Sequence, residues 1–331
     1  MNPFSTQRWW GYLPLFDPAV GTTIVPPEHE GRGWWAGAPS ITYDAETATW
    51  WLYYRLRKPR ELGRGAECRI ARSFDGIHFE TAWRASKTEF ESPSIERACL
   101  IKDLNGRFRL FISYVDPADN RWRVDQMIAA SPDSFEPENR QPVLTAADIG
   151  AEGVKDPWVV VIGRLYHMLL SYAPSVGRRN VTTEQMHATG DVYNTGLTKS
   201  HTGLATSADG DLWHWQGDVL SPPEGGWDSY ATRLGCLVWT PPVFTGFYDG
   251  SASVEENYEE RTGLVISTDL RTFTRATPNG PVLVSPHASG SLRYLDALVL
   301  GGHLWCYYEY ALPDGSHELR LSRVPWPFVA A

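Results

Sequence analysis

One order of local features recurs along the chain. An apolar run with polar residues at its mouth is followed by a turn, two further apolar runs, and then Ser-x-Asp with an aromatic residue a few positions on. The marker falls at Ser73, Ser131, Ser207 and Ser267, about 55 to 76 residues apart. Short apolar runs bounded by turn residues such as Asn105-Gly106 and Gly301-Gly302 read as strands joined by hairpins. A regular period means one supersecondary unit used repeatedly. Five such units can be traced, with first strands expected at 37–43, 96–101, 155–161, 232–239 and 294–300. Four-stranded units arranged radially make a propeller, so the expected fold is all-β, a five-bladed β-propeller over 34–331 preceded by a clasp or lid segment, 1–33. A two-sheet sandwich of this length does not require the repeated strand order.

Composition narrows the class of partner. The 331 residues include 15 Trp, 15 Tyr and 12 Phe beside 29 Gly and 24 Pro, a balance that suits strands and tight turns better than helices. A formal charge of −9 leaves no basic footprint, so nucleic acid is not an expected partner. No stretch approaches a membrane span, and Met1 to Trp10 has no basic head followed by an apolar run. Cys68, Cys99, Cys236 and Cys306 lie far apart without a CxxC pair, which argues for small buried residues and against structural zinc. The expectation is a cytoplasmic protein with free thiols, no metal and no cofactor.

Propeller geometry dictates which side chains meet. First strands line the axis and successive strands are antiparallel, so first-strand starts, second-strand ends and third-strand starts share one face. The loops joining second to third strands overhang that face, and these expand here, at 58–65, 174–200 and 249–260. Long loops inside a compact domain usually carry function. The insertion from Pro174 to Ser200, with Gly177, Gly190 and Gly196 among polar residues, is expected to form a partly mobile cover.

The residues gathered at that rim form a constellation. First-strand entrances supply Trp34, Trp35, Glu96, Arg97, Lys155, Asp156, Arg233, Tyr294 and Asp296. Second-strand exits supply Arg55, Tyr114, Tyr172, Asp249 and Glu309, and third-strand starts add Glu67 and His201. Carboxylates from different blades, interleaved with arginines and aromatics, suit a carbohydrate: acids for proton transfer, Trp and Tyr faces for sugar rings, arginines for hydroxyls or an anionic substituent. Glycoside cleavage needs two opposed carboxyl groups, one protonated at the leaving oxygen and one ionised. Asp156 and Glu96 are the expected acid/base pair, with Asp296 as a third carboxylate. The expected substrate contacts are Trp34, Trp35, Arg55, Glu67, Arg97, Lys155, Tyr172, His201, Arg233, Tyr294 and Glu309. Structural alternatives stand beside these: ion pairs of Asp156 with Lys155 and of Glu96 with Arg97, a strand tie at Asp296, and clasp packing at Trp34 and Trp35.

The blade pattern, the Asp156-Pro157 entrance and the Ser-x-Asp-Gly turns resemble the five-bladed glycosidases and related phosphorylases. These are the arabinanase and xylosidase family (glycoside hydrolase family 43), the invertase family (family 32) and the mannoside phosphorylases (family 130). The resemblance runs from about Gly33 to Val324. It implies a glycoside hydrolase, with a glycoside phosphorylase and a non-catalytic carbohydrate-binding propeller as alternatives. Families 43 and 32 place an aspartate at the first-blade entrance, where this chain has Ala38-Pro39; the fourth-blade glutamate of family 43 has no match at Thr232-Arg233. Asp156 matches by blade and by its following proline, at the position that in the arabinanase family tunes and orients the acid. Glu96-Arg97 falls in the blade where the phosphorylases carry theirs.

Overall fold

Short turns leave each apolar run no choice but to pair antiparallel with its neighbour in sequence. In the computed structural model, which describes residues 10–177 and 181–327, the strands follow one another in five antiparallel runs. The first comprises Trp35–Asp44, Thr49–Arg57, Gly65–Ser73 and Glu80–Ser86, and the second Ile95–Lys102, Phe108–Val115, Trp122–Ala129 and Gln141–Leu144. Ala151–Ile162, Leu165–Pro174, His201–Ser207 and His214–Leu220 form the third, and Ala231–Thr240, Val243–Ser251, Arg261–Ser267 and Thr274–Arg275 the fourth. In the fifth, Leu292–Leu300, His303–Ala311 and His317–Pro325 take their outermost strand, Thr22–Val25, from the other end of the chain. A single parallel pair, Trp35 with His317, joins the fifth run to the first as one sheet, while the other three runs are separate sheets.

The leading strands of the five runs touch in cyclic order, the last returning to the first. Apolar side chains fill the seams between neighbouring sheets. Trp51, Ile70, Leu100 and Leu110 pack between the first and second runs, and Phe111, Val154, Met168 and Trp213 between the second and third. Burial on both faces explains the near-continuous apolar runs in the sequence. The Ser-x-Asp turns close the opposite ends of the sheets. Ser73 Oγ accepts from the Gly76 amide at 3.0 Å, while Asp75 Oδ1 accepts from Ile77 and His78 at 2.8 Å. Ser207-Asp209 and Ser267-Asp269 repeat this wiring. It satisfies turn amides locally.

Each leading strand is interrupted by a register shift against its hairpin partner. The shifts lie between Gly37 and Ser40, Ile95 and Ala98, Lys155 and Trp158, Leu234 and Cys236, and Arg293 and Asp296. A bulge bends the strand and re-aims a side chain. Within three of them Ala38, Asp156 and Tyr294 take φ of 53°, 56° and 53°, which residues with a Cβ adopt only when their surroundings hold them. The Asp156 amide is held by Ser113 Oγ at 2.8 Å, and the Tyr294 amide by Asp249 Oδ2 at 3.0 Å.

The insertion corrects an expectation. Arg178 to Asn180 and residues 1–9 of the clasp segment lie outside the described residues, but 181–200 are built into the body and do not form a loose cover. Met186, Val192 and Tyr193 are buried with Val115, Trp122 and Ala173. The short helix Thr183–His187 begins with a capping box between Thr182 and Gln185, and His187 Nε2 lies 2.9 Å from Glu152 Oε2. Three apolar anchors among the glycines outweigh the flexibility that the glycines allow.

Candidate functional site

The bulges present charged residues toward the centre, where they form a chain of alternating sign. Arg233 Nη1 lies 2.5 Å from Glu260 Oε1, and Glu260 Oε2 lies 2.8 Å from Arg293 Nη1. Arg293 Nε donates to Glu309 Oε1 at 2.9 Å, and Arg55 Nη2 lies 3.3 Å from Glu309 Oε2. Arg55 then pairs through Nη1 with Glu96 Oε1. All six side chains are buried, and they come from four of the five runs. Buried charges persist only when paired and hydrogen-bonded, and here each interior member has two partners. Burial alone would raise Glu260, but Arg233 and Arg293 outweigh it and bring it to about 2. Burial likewise opposes ionisation of Glu96, yet Arg55 first, then Lys155, Arg57 and Arg293, hold it below the usual carboxylate range.

The third run contributes differently. Asp156 is 3% exposed, and neither carboxyl oxygen has a hydrogen-bond partner. Lys155 Nζ, 3.6 Å from Asp156 Oδ2, has none either and stands 5.1 Å from the Trp122 ring and 5.0 Å from that of Tyr193. Burial pushes the Asp156 carboxyl up; Lys155 opposes this and Glu96 adds to it. Glu96 and Asp156 therefore sit in environments that drive their protonation in opposite directions. Such a divergence marks acid and base roles at many sites.

Arg97 also reaches the centre, donating from Nη2 to the Gly235 carbonyl at 2.8 Å. Tyr294 lies between Arg293, 4.7 Å from its ring centre, and Glu96 Oε1, 3.4 Å from its hydroxyl. Trp35 stacks on His317 at 4.4 Å, and His317 Nδ1 lies 2.8 Å from Glu309 Oε1. The structure thus brings together Glu96, Asp156, Arg55, Arg97, Lys155, Arg233, Tyr294, Glu309 and Trp35.

Asp296 is buried nearby but fully engaged. Its Oδ2 accepts from the Ile41 amide at 2.8 Å, and its Oδ1 from Trp158 Nε1 and the Ala297 amide at 3.0 Å. It ties one leading strand to the next, as Ser40 does for Leu100 and Cys99 for Val159. Four expected contacts lie elsewhere. Tyr172 and His201 face each other across adjacent strands and turn outward, both to Asp218 Oδ1, at 2.8 and 3.0 Å. Glu67 pairs with Arg69 on its own strand, and Trp34 packs its ring 4.3 Å from His29. Side-chain alternation explains Glu67: it lies opposite Leu56, so it takes the side of the sheet away from Arg55.

Above this centre is a cavity of about 460 Å³ to which all three long loops contribute. Pro59, Arg60 and Glu61 come from the first loop, Asn194 from the insertion, and Val254, Glu255, Asn257 and Tyr258 from the fourth-run loop, with Trp35 and Arg57 completing the wall. Glu96 and Asp156 are not in that wall. The connection runs through Asn257, whose Oδ1 accepts from Arg233 at 2.6 Å, and through Trp35, whose ring lies 4.9 Å from Arg293. The Tyr258 hydroxyl bonds Asp191 of the insertion, and Asp191 also accepts from Trp122 Nε1 at 3.1 Å. Sequence reasoning missed Glu260, Arg293, Arg57, Tyr258 and Asp191. Glu260 sits in the run Glu259-Glu260-Arg261, which reads as a solvated loop end. Among the described residues, no group of three or more His, Cys, Asp or Glu side chains is placed to hold a metal ion.

No family model matches the chain, and no curated protein matches it. Solved structures do. A thermostable family-43 glycoside hydrolase is 12% identical, with a TM-score of 0.65 over 91% of this chain and 92% of that one. A glycosyl hydrolase from Bacteroides ovatus is 14% identical, with a TM-score of 0.63 over 94% and 96%. A β-1,2-mannobiose phosphorylase from Listeria innocua, in complex with β-1,2-mannobiose, is 17% identical, with a TM-score of 0.60 over 92% and 94%. At these identities the likeness is one of fold.

Proposed function

We propose that the five runs are the blades of a five-bladed propeller, that 1–33 is an N-terminal clasp or lid segment, and that the chain is a glycoside hydrolase. The reading rests on one observation: every member of the buried charge chain from Arg233 to Glu96 has an ion-pair partner at hydrogen-bonding distance, whereas neither carboxyl oxygen of Asp156 nor the Lys155 ammonium beside it makes a hydrogen bond. In this reading Asp156, held toward its protonated form, donates its proton to the glycosidic oxygen as the bond to the sugar breaks. Glu96, held ionised by Arg55, faces the positive charge that develops on the sugar ring and takes the proton that the incoming water releases as its oxygen bonds the anomeric carbon. Asp296 keeps the strands together and has no part in the chemistry. Trp35 and Tyr258 supply faces for sugar rings in the cavity.

A glycoside phosphorylase is the second reading, favoured by the buried ammonium of Lys155, which makes no hydrogen bond and would suit phosphate in place of water. A panel of aryl glycosides and unactivated oligosaccharides, each tried with and without phosphate, tests both. Asp156→Asn should lower turnover of unactivated substrates by about 10²–10⁴-fold. Nitrophenyl glycosides, whose leaving group needs little protonation, should lose much less. The melting temperature should not fall, because asparagine keeps the shape of a carboxyl that burial already holds toward its neutral form. If nothing in the panel is cleaved while several members bind, a carbohydrate-binding module is the better description. Cleavage only with phosphate would select the phosphorylase.

A further inference from the structure

We infer that the cavity takes a sugar bearing a carboxylate, with Arg57 as the group that recognises it. This rests on reading the cavity as a sugar site. Arg57 ends the second strand of the first run and is 3% exposed. The other buried arginines of the centre have acceptors: Arg55, Arg233 and Arg293 have glutamates, and Arg97 has a carbonyl. Among the described residues no carboxylate lies within ion-pair distance of Arg57, and its Nε and Nη1 make no hydrogen bond. A guanidinium buried without an acceptor is costly, and an anion entering the cavity it lines would relieve that cost.

The way Arg57 is held selects the kind of anion. Its guanidinium carbon lies 4.2 Å from the Trp35 ring centre on one contact and 4.4 Å from that of Tyr258 on another. Stacked against rings, a guanidinium keeps its in-plane N–H edge for a ligand, and that edge matches a carboxylate. Both rings are themselves braced. Trp35 Nε1 donates to the Gly315 carbonyl at 3.3 Å, and the Tyr258 amide donates to Glu260 Oε1 at 3.0 Å. Tyr258 has a φ of 83°, so the loop accepts an unfavourable backbone to keep that ring in place. The charges in the wall set the magnitude. Arg57 and Arg60 line the cavity with Glu61 and Glu255, and Arg32 is already paired with Glu259 at 3.5 Å, so the wall repels a phosphate dianion more than a single carboxylate. Burial also lowers Arg57 to about 10, against the more distant Glu96 carboxylate, which favours the cation.

Calorimetric titration of the full chain with D-glucuronate, D-galacturonate and D-mannuronate, their methyl esters, the corresponding neutral sugars and inorganic phosphate tests this. At least one uronate should bind about 10- to 100-fold more tightly than its own methyl ester and its neutral counterpart. Arg57→Met should bring the uronate down to the affinity of the ester, and Arg57→Lys should keep part of the preference. The comparison of acid with ester uses the wild type, so it holds even if an Arg57 variant folds poorly. Equal binding of acid and ester, no uronate binding at all, or phosphate binding more tightly than every uronate through Arg57 would each overturn the inference. Uronate binding without cleavage of any glycoside would leave it standing and remove the hydrolase reading; cleavage of neutral glycosides with no preference for acidic ones would do the reverse.

Discussion

Arg97 lies over Gly235, with its Nη2 on the Gly235 carbonyl and its Nη1 where a Cβ at that position would stand. The glycine is there for space: its φ is not in the left-handed region, so only the guanidinium excludes a side chain. Gly235→Ala should displace Arg97, strip its acceptor and cost about 1–3 kcal/mol. The double variant Gly235→Ala with Arg97→Met should recover part of that loss, because the overlap and the unpaired charge go together. Denaturant unfolding of the four proteins gives the coupling. Simple additivity would mean that Arg97 does not occupy that space in solution.

Asp249 and Glu260, both buried near Arg293, should shift stability with pH in opposite senses. Burial foremost, with Glu260 adding to it, raises Asp249 to about 7 against the bond from the Tyr294 amide. Its folded value exceeds the unfolded one of about 3.9, so its contribution is complete below about pH 4 and is lost as pH rises through about 7. Glu260, brought to about 2, contributes stability above about pH 4 that is lost as pH falls toward 2. Asp249→Asn should therefore stabilise at pH 8 relative to wild type and confer little at pH 4. Glu260→Gln should cost about 3–5 kcal/mol at pH 7, because it strands two buried arginines. Urea unfolding from pH 4 to 9 reads both; parallel wild-type and Asp249→Asn profiles would refute the first.

Tyr193 should behave as a core residue although it lies in the long insertion. Its hydroxyl donates to the Gly153 carbonyl at 3.3 Å, and its ring lies beside Lys155 and Arg233. Tyr193→Ala should cost about 3–5 kcal/mol, comparable to truncating a large aromatic in any core. An unchanged melting temperature would return the insertion to the role of a cover.

The parts of the fold legible in the sequence were those set by local chemistry. Ser-x-Asp recurs because its serine and aspartate satisfy turn amides within four residues, and apolar runs recur because each sheet is packed on both faces. From that order the positions of Glu96, Asp156 and Arg233 on leading strands followed by geometry. What could not be read was which partner each charge would find. Asp296 and Asp156 look alike as carboxylates at strand entrances, yet one is saturated by three donors and the other by none. That difference depends on Ile41 and Trp158, distant in sequence. Glu67 and His201 were misplaced because the side a third-strand residue faces depends on strand register, which composition does not encode.

The bulges in the leading strands act as sockets. At Asp156 and Tyr294 the backbone is gripped from the preceding run of strands, by Ser113 and by Asp249, and the grip is on the amide, not on the side chain that the bulge displays. At these two positions the amide bond does not depend on which side chain is displayed, and the five sockets hold an alanine, a glutamate, an aspartate, a glycine and a tyrosine.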